Sequence, residues 1–170
     1  MTQSDTQVVQ PEVALIVGGG PGISASCARL FADNGMRVAV AARNPDKPVL
    51  QALEKTHGVR RYACDAAEPA SVQRLFEEVT RDLGTPTLVL HNIDGRSAGI
   101  LRKPITEADP ALALDVLRNA AFSAYLVGQH AARLMLGQQA NANGTKGTII
   151  FTNASAALTG FPLSAAFAMS

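Results

Sequence analysis

The chain has 170 residues, 47% of them hydrophobic and 17% charged, which is enough for one globular domain with a substantial core. A formal net charge of +1 without a basic cluster argues against a nucleic-acid partner, and the absence of any apolar run of about 18 residues argues against a membrane partner. The polar segment 1–11 lacks a signal-peptide core, and Cys27 and Cys64 lack metal-ligand spacing. We therefore expect a cytoplasmic protein with free thiols, a disordered tail over residues 1–11 and one domain over residues 12–170.

Five short apolar runs predict β-strands, and between them lie segments whose apolar residues repeat at helical spacing. The strands are expected at Val13–Val17, Arg37–Ala42, Val59–Cys64, Thr87–Asn92 and Thr148–Thr152. This alternation predicts an α/β fold, a three-layer doubly wound parallel sheet in the order 3-2-1-4-5. The fifth strand would then be an open edge.

The first strand leads through a glycine-rich turn into a helix predicted over Ser24–Asn34, with Gly35 as its C-terminal cap. Backbone N–H groups and the helix dipole at such a helix start favour a phosphate. The spacing is not G-x-G-x-x-G, because Ile23 stands where the third glycine would fall. An ordinary glycine-rich loop remains the alternative to a nucleotide site. The candidate binding residues in this turn are Gly18, Gly20, Gly22 and Ile23.

Polar side chains follow the next three strands, at the sheet edge where a dinucleotide would bind. Arg43 follows the second strand, which ends without an acid to accept from a ribose 2′-OH, and a guanidinium pairs well with a 2′-phosphate. NADP is therefore favoured over NAD, unless Arg43 is a solvated surface residue. Asp65 could accept from an adenine amino group or stabilise a turn. Asn92 could bridge backbone groups and the cofactor.

Two further helices are predicted. The first has Ser71 as a possible cap and ends at Gly84, and the second covers Asp115–Gln139 with apolar residues spread around its circumference. The second helix should therefore be buried on more than one side. The stretches 94–110 and 140–146 are predicted to be irregular. Three histidines are predicted to pack or to lie on the surface rather than to act as bases: His57, His91 and His130.

In combination, these motifs resemble the short-chain dehydrogenase/reductase family. The resemblance runs from Val13 to Ser170 and also includes a degenerate Asn-Asn-Ala-Gly at 91–94 and the segment Gly147–Ser155. It implies a Rossmann-fold oxidoreductase that moves a hydride between NAD(P) and a carbonyl or alcohol carbon of a small molecule. It also implies a homo-oligomer, with helix 115–139 forming much of the subunit interface.

The family's chemistry uses a serine that polarises the carbonyl, a tyrosine that delivers the proton and a lysine four residues later that lowers the phenol pKa. Ser155 matches the serine, although a strand-end serine that bonds to local backbone is an equal alternative. Phe167 stands at the tyrosine position and has no proton to give. The lysine would follow Ser170, so we expect the chain to be the N-terminal part of a larger protein.

Two further departures concern Ser24, which stands where the family has its last glycine, and Ala120, which stands at the position of a supporting asparagine. Asn119 precedes Ala120 and would be rotated away by about 100° on a helix. A side chain at Ser24 could crowd the approach of helix and strand. The departures leave three alternatives open: an NADP-dependent enzyme, a nucleotide-binding pseudoenzyme and a fragment that binds no ligand.

Overall fold

A computed structural model describes residues 11–96, 99–141, 143–159, 163 and 168, and these contain one parallel sheet of five strands. The strand order is β3-β2-β1-β4-β5, and every neighbouring pair is parallel. The doubly wound α/β sheet predicted from the sequence is thus confirmed. The strands are β1 (Val13–Val17), β2 (Arg37–Ala42), β3 (Arg60–Ala63), β4 (Leu88–His91) and β5 (Thr148–Phe151).

Helices cover both faces of the sheet. On one face, α1 (Ile23–Asp33) and α2 (Pro48–His57) pack on β1 and β2, and on the other face α3 (Pro69–Leu83) packs beside a long helix near the C-terminal end of the described chain. All five residues of β1 are buried, because successive side chains enter opposite cores. This two-sided burial explains why the central strands are continuous apolar runs.

The long helix differs from its prediction at both ends. It begins with α4 (Pro110–Leu117), passes through a π-turn at Arg118–Phe122 and continues as α5 (Ser123–Leu136). The predicted start at 115 was wrong because Asp109 caps the helix, its carboxylate accepting from the Ala111 N–H at 2.8 Å. In the preceding stretch, the described residues are irregular as expected, apart from a short 3₁₀ turn at Ile105–Glu107 and an isolated antiparallel bridge from Pro104 to Leu163.

Burial of the long helix on several sides was also wrong within this chain. Its sheet-facing side chains are buried, whereas Phe122, Tyr125 and Leu136 are exposed by 41%, 59% and 71%. Strand β5 is an edge of the described sheet, and its Phe151 is also exposed. Among the residues the structure describes, none of the helices has the length and apolar character needed to cross a bilayer.

One other local expectation needs correction. Ser71 is not a helix cap, because α3 begins at Pro69 with Glu68 at the cap position, and the Ser71 hydroxyl instead accepts from the Asp65 N–H at 3.1 Å. Helix α2 occupies the segment of helical spacing expected between β2 and β3, and Pro48 at its first turn and Gly58 after its end are both typical helix boundaries. Cys27 and Cys64 are free thiols, as predicted.

Candidate functional site

A cleft of about 1090 Å³ opens at the carboxyl ends of the strands. It is bounded by the turn between β1 and α1, by the ends of β2, β3, β4 and β5, and by the π-turn of the long helix. The cleft is the crevice in which open α/β sheets bind ligands. The structure brings together all the residues predicted to bind a cofactor: Gly18, Gly20, Gly22, Ile23, Arg43, Asp65 and Asn92.

The glycines of the turn after β1 fall into two classes. Gly18 has φ +107°, and a Cβ there would lie 2.1 Å from the Asn92 carbonyl oxygen, so the fold itself requires glycine at this position. At Gly20 and Gly22 a Cβ would meet nothing within 4 Å. Gly22 is also the N-cap residue of α1 and offers no side-chain hydrogen bond to the helix N–H groups. The turn therefore leaves open space in front of uncapped N–H donors.

Ser24 fits the helix–strand contact that it was expected to crowd. The side chain is 1% exposed in the first turn of α1, and its hydroxyl donates to the Gly18 carbonyl at 2.7 Å. Asn92 Nδ2 lies 2.7 Å from the same hydroxyl oxygen. The expectation of crowding was wrong, because the Ser24 side chain fits between helix and strand and makes two hydrogen bonds there.

Two cations lie on the cleft wall after β2. Arg43 is exposed directly after the strand, and Lys47, which the sequence analysis missed, donates from Nζ to the Gly19 carbonyl at 2.8 Å. Arg61 steadies the loop between them by donating to the Pro45 carbonyl at 2.9 Å and to the Asp46 carboxylate at 2.8 Å. The loop's carboxylate is thus paired with Arg61. The sequence signal that could have identified Lys47 is its position four residues after Arg43, in the same loop.

Asp65 makes the turn contact that the sequence left open as an alternative. Its Oδ1 accepts from the Ala67 N–H at 3.0 Å, and the residue also lines the cleft. The preceding Cys64 is buried, and this burial raises the pKa of its thiol. The Asp65 carboxylate therefore shapes the β3 end of the cleft through a local backbone bond.

The end of the cleft beside the long helix is shaped by its π-turn. A π-turn accommodates an extra residue, and Asn119 and Ala120 both line the cleft. That Asn119 does not replace the supporting asparagine at position 120 stays a prediction. The Asn119 amide donates to the Asp115 carbonyl at 2.8 Å. Ser155 is exposed and starts a 3₁₀ turn directly after Ala154, which is a lining residue, but Ser155 itself is not in the lining. Phe167 lies outside the described residues.

His91 is a packing histidine, as predicted. Its side chain is 3% exposed, its Nε2 lies 2.7 Å from Ser123 Oγ, and its ring centroid lies 6.1 Å from that of Phe151. Burial lowers its pKa to about 4, so the ring is neutral at pH 7. His130 stacks on Phe76 with centroids 5.5 Å apart.

Comparison with known proteins identifies the family. The family model described as enoyl-(acyl carrier protein) reductase matches residues 18–170. Short-chain dehydrogenase reductase 4 of Arabidopsis thaliana is 29% identical over 161 residues, which cover 92% of this chain and 50% of that protein. The chain belongs to the short-chain dehydrogenase/reductase family.

This short-chain dehydrogenase/reductase is also 28% identical to human 3-oxoacyl-[acyl-carrier-protein] reductase over 139 residues, 82% of this chain and 57% of the human protein. A solved short-chain type dehydrogenase/reductase from Mycobacterium ulcerans superposes with a TM-score of 0.81 at 26% identity, covering 94% of this chain and 57% of that one. The chain thus spans about half the length of the relatives it matches. The family comprises oxidoreductases that use NAD(P), act on small molecules and are commonly oligomeric.

Proposed function

We propose that this chain binds NADP(H) in preference to NAD(H) and forms the cofactor-binding part of an enzyme that reduces a carbonyl or oxidises an alcohol on a small molecule. The observation that carries the cofactor preference is the pair of cations, Arg43 and Lys47, on the cleft wall after β2. The strand itself ends Ala41-Ala42-Arg43-Asn44, without a carboxylate to accept from a ribose 2′-OH.

The cleft fits a dinucleotide in both shape and charge. Open space at Gly20 and Gly22 admits a pyrophosphate to the uncapped N-terminus of α1, where backbone N–H groups and the helix dipole favour negative charge. At the β2 wall, the Arg43 guanidinium can pair with a phosphate through two parallel N–H donors. Asp46 lies in the loop between Arg43 and Lys47, and its carboxylate is paired with the Arg61 guanidinium.

The bound cofactor supplies or accepts the hydride, and the chain binds and orients it. In this proposal Ser155, which directly follows the lining residue Ala154, polarises the substrate carbonyl, the role that the family resemblance implies for it. Phe167 at the tyrosine position cannot supply the proton. The acid must therefore be another group or water.

Parallel titrations with NADPH and NADH, followed by nicotinamide fluorescence, test this function. The chain contains no tryptophan, so the nicotinamide signal is free of indole emission. Saturable NADPH binding with a much higher Kd for NADH is expected. Failure to bind either dinucleotide would reject the proposal, and tighter binding of NADH would reject the cofactor preference.

Replacing Arg43 with alanine should raise the Kd for NADPH by about 10- to 100-fold, since a charge-assisted hydrogen bond contributes about 1.5–3 kcal/mol. The Kd for NADH should change less than about twofold, because NADH lacks the 2′-phosphate. The matched control is Arg29→Ala, which removes an exposed arginine from α1 outside the cleft. An equal loss of affinity for both dinucleotides would refute the phosphate role of Arg43.

The long helix is proposed to form a subunit interface with a second copy of the chain. Phe122 and Tyr125 are exposed on this helix with their ring centroids 6.4 Å apart, and together with Leu114 and Leu136 they leave apolar surface uncovered. Exposed apolar surface of this kind is typical of protein interfaces.

Tyr125→Glu should therefore shift the chain from an oligomer to a monomer, because a carboxylate would be buried without a partner at the interface. Sedimentation velocity measures the change directly. Lys55→Glu, a charge change on the exposed side of α2, is the control and should leave the oligomer intact. A monomeric wild-type chain, or an unchanged sedimentation coefficient in Tyr125→Glu, would contradict the assignment.

A further inference from the structure

The side chain of Ser24 joins two parts of the cleft that are far apart in sequence. Its hydroxyl lies 2.7 Å from the Gly18 carbonyl in the glycine turn and 2.7 Å from Asn92 Nδ2 after β4, a residue 68 positions away. The side chain is 1% exposed, so water does not compete for these bonds. The end of β1 is also held directly to Asn92, whose N–H donates to the Val17 carbonyl at 2.8 Å.

The single hydroxyl proton of Ser24 fixes the direction of both hydrogen bonds. A carbonyl oxygen can only accept, so the single hydroxyl proton of Ser24 goes to Gly18. The hydroxyl oxygen must then accept from Asn92, and the NH₂ end of that amide therefore points to Ser24. The Asn92 Oδ1 atom is left as an acceptor on a residue that lines the cleft.

We infer that Ser24 is a positioning residue for the dinucleotide: its hydroxyl fixes the glycine turn against Asn92 and orients the Asn92 amide so that Oδ1 accepts from a hydroxyl group of the ligand. This inference rests on the proposed function. A small side chain without a hydroxyl would at this position only fill buried space. The two hydrogen bonds add an orientation that neither glycine nor alanine provides.

Ser24→Ala should raise the Kd of NADPH and of NADH by about the same factor. The expected factor is roughly tenfold, the effect of losing the hydrogen bond between Asn92 Oδ1 and the ligand hydroxyl group. The ratio of the two constants should stay unchanged, in contrast to Arg43→Ala. Asn92→Ala should weaken binding similarly, and the double variant should bind no worse than Asn92→Ala because the two side chains act as a unit. Ser26→Ala, on the exposed side of the same helix, is the control.

A ligand-free measurement tests the geometry separately. The side-chain NH₂ signals of Asn92 in ¹⁵N NMR spectra should shift and exchange faster with solvent in Ser24→Ala, and not in Ser26→Ala. A purely structural serine would lower the Tm in Ser24→Ala and leave both Kd values unchanged, and this result would overturn the inference. Additive losses in the double variant would also overturn it. If the wild-type chain binds neither dinucleotide, the proposed function fails, and the inference fails with it.

Discussion

Gly20→Val should abolish dinucleotide binding, raising the Kd for NADPH more than about 100-fold, while the free energy of unfolding changes by less than about 1 kcal/mol. A Cβ at Gly20 meets nothing within 4 Å, so the free protein has room for the new side chain. That room is the space in which the pyrophosphate is proposed to lie. The isopropyl group would therefore occupy the ligand's place without disturbing the core.

Gly18→Ala should have the opposite profile. Its Cβ would lie 2.1 Å from the Asn92 carbonyl oxygen, at a φ of +107° that L-residues rarely adopt, so we expect a loss of more than about 3 kcal/mol of stability. Urea unfolding of both variants measures the loss of stability, and NADPH titration measures the loss of affinity. Ser26→Val is the surface control for both measurements. Wild-type affinity in Gly20→Val would show that the phosphates bind elsewhere.

The sheet was predictable because its central strands are buried on both faces. β1 and β2 were predicted at their observed bounds, since continuous apolar runs between turn residues leave few alternatives. A helix between β2 and β3 was expected from the alternation of strands and helical segments, but its bounds were not, because only Leu50 and Leu53 of α2 are buried and two apolar positions do not mark where a helix begins or ends.

The site was predictable only as far as topology determines it. The rule that ligands bind at the carboxyl ends of parallel strands placed Arg43, Asp65 and Asn92 in one cleft. The π-turn was not predictable, because it depends in part on a contact across the fold: Ser123 Oγ, which donates within the helix to the Asn119 carbonyl at 2.6 Å, also lies 2.7 Å from His91 Nε2 on β4. The Ser24–Asn92 bond likewise joins residues that no local sequence pattern connects.

Lowering the pH from 7 to 4 should cost the fold about 3 kcal/mol through His91 alone. Burial lowers its pKa from 6.5 to about 4 in the folded chain. Between these two values the unfolded chain binds a proton that the folded chain does not, so stability is full above pH 6.5 and falls as the pH drops toward 4. Urea unfolding at a series of pH values measures the slope.

The variant His91→Asn should reduce this dependence, whatever its stability at pH 7, because it removes the more deeply buried titrating ring. Burial also lowers the pKa of His130, so part of the slope should remain. Asparagine retains polar atoms near Ser123 Oγ, which now lies 2.7 Å from the His91 ring. The lowered pKa values of Asp82 and Asp94 add a further loss of stability below about pH 5, where these carboxylates begin to bind protons in the unfolded chain, so the slope above about pH 5 is the one that tests His91. An unchanged slope in His91→Asn would mean that the buried ring accepts a proton in the folded state, and the closed packing of β4 against the π-turn would then have to open near pH 6.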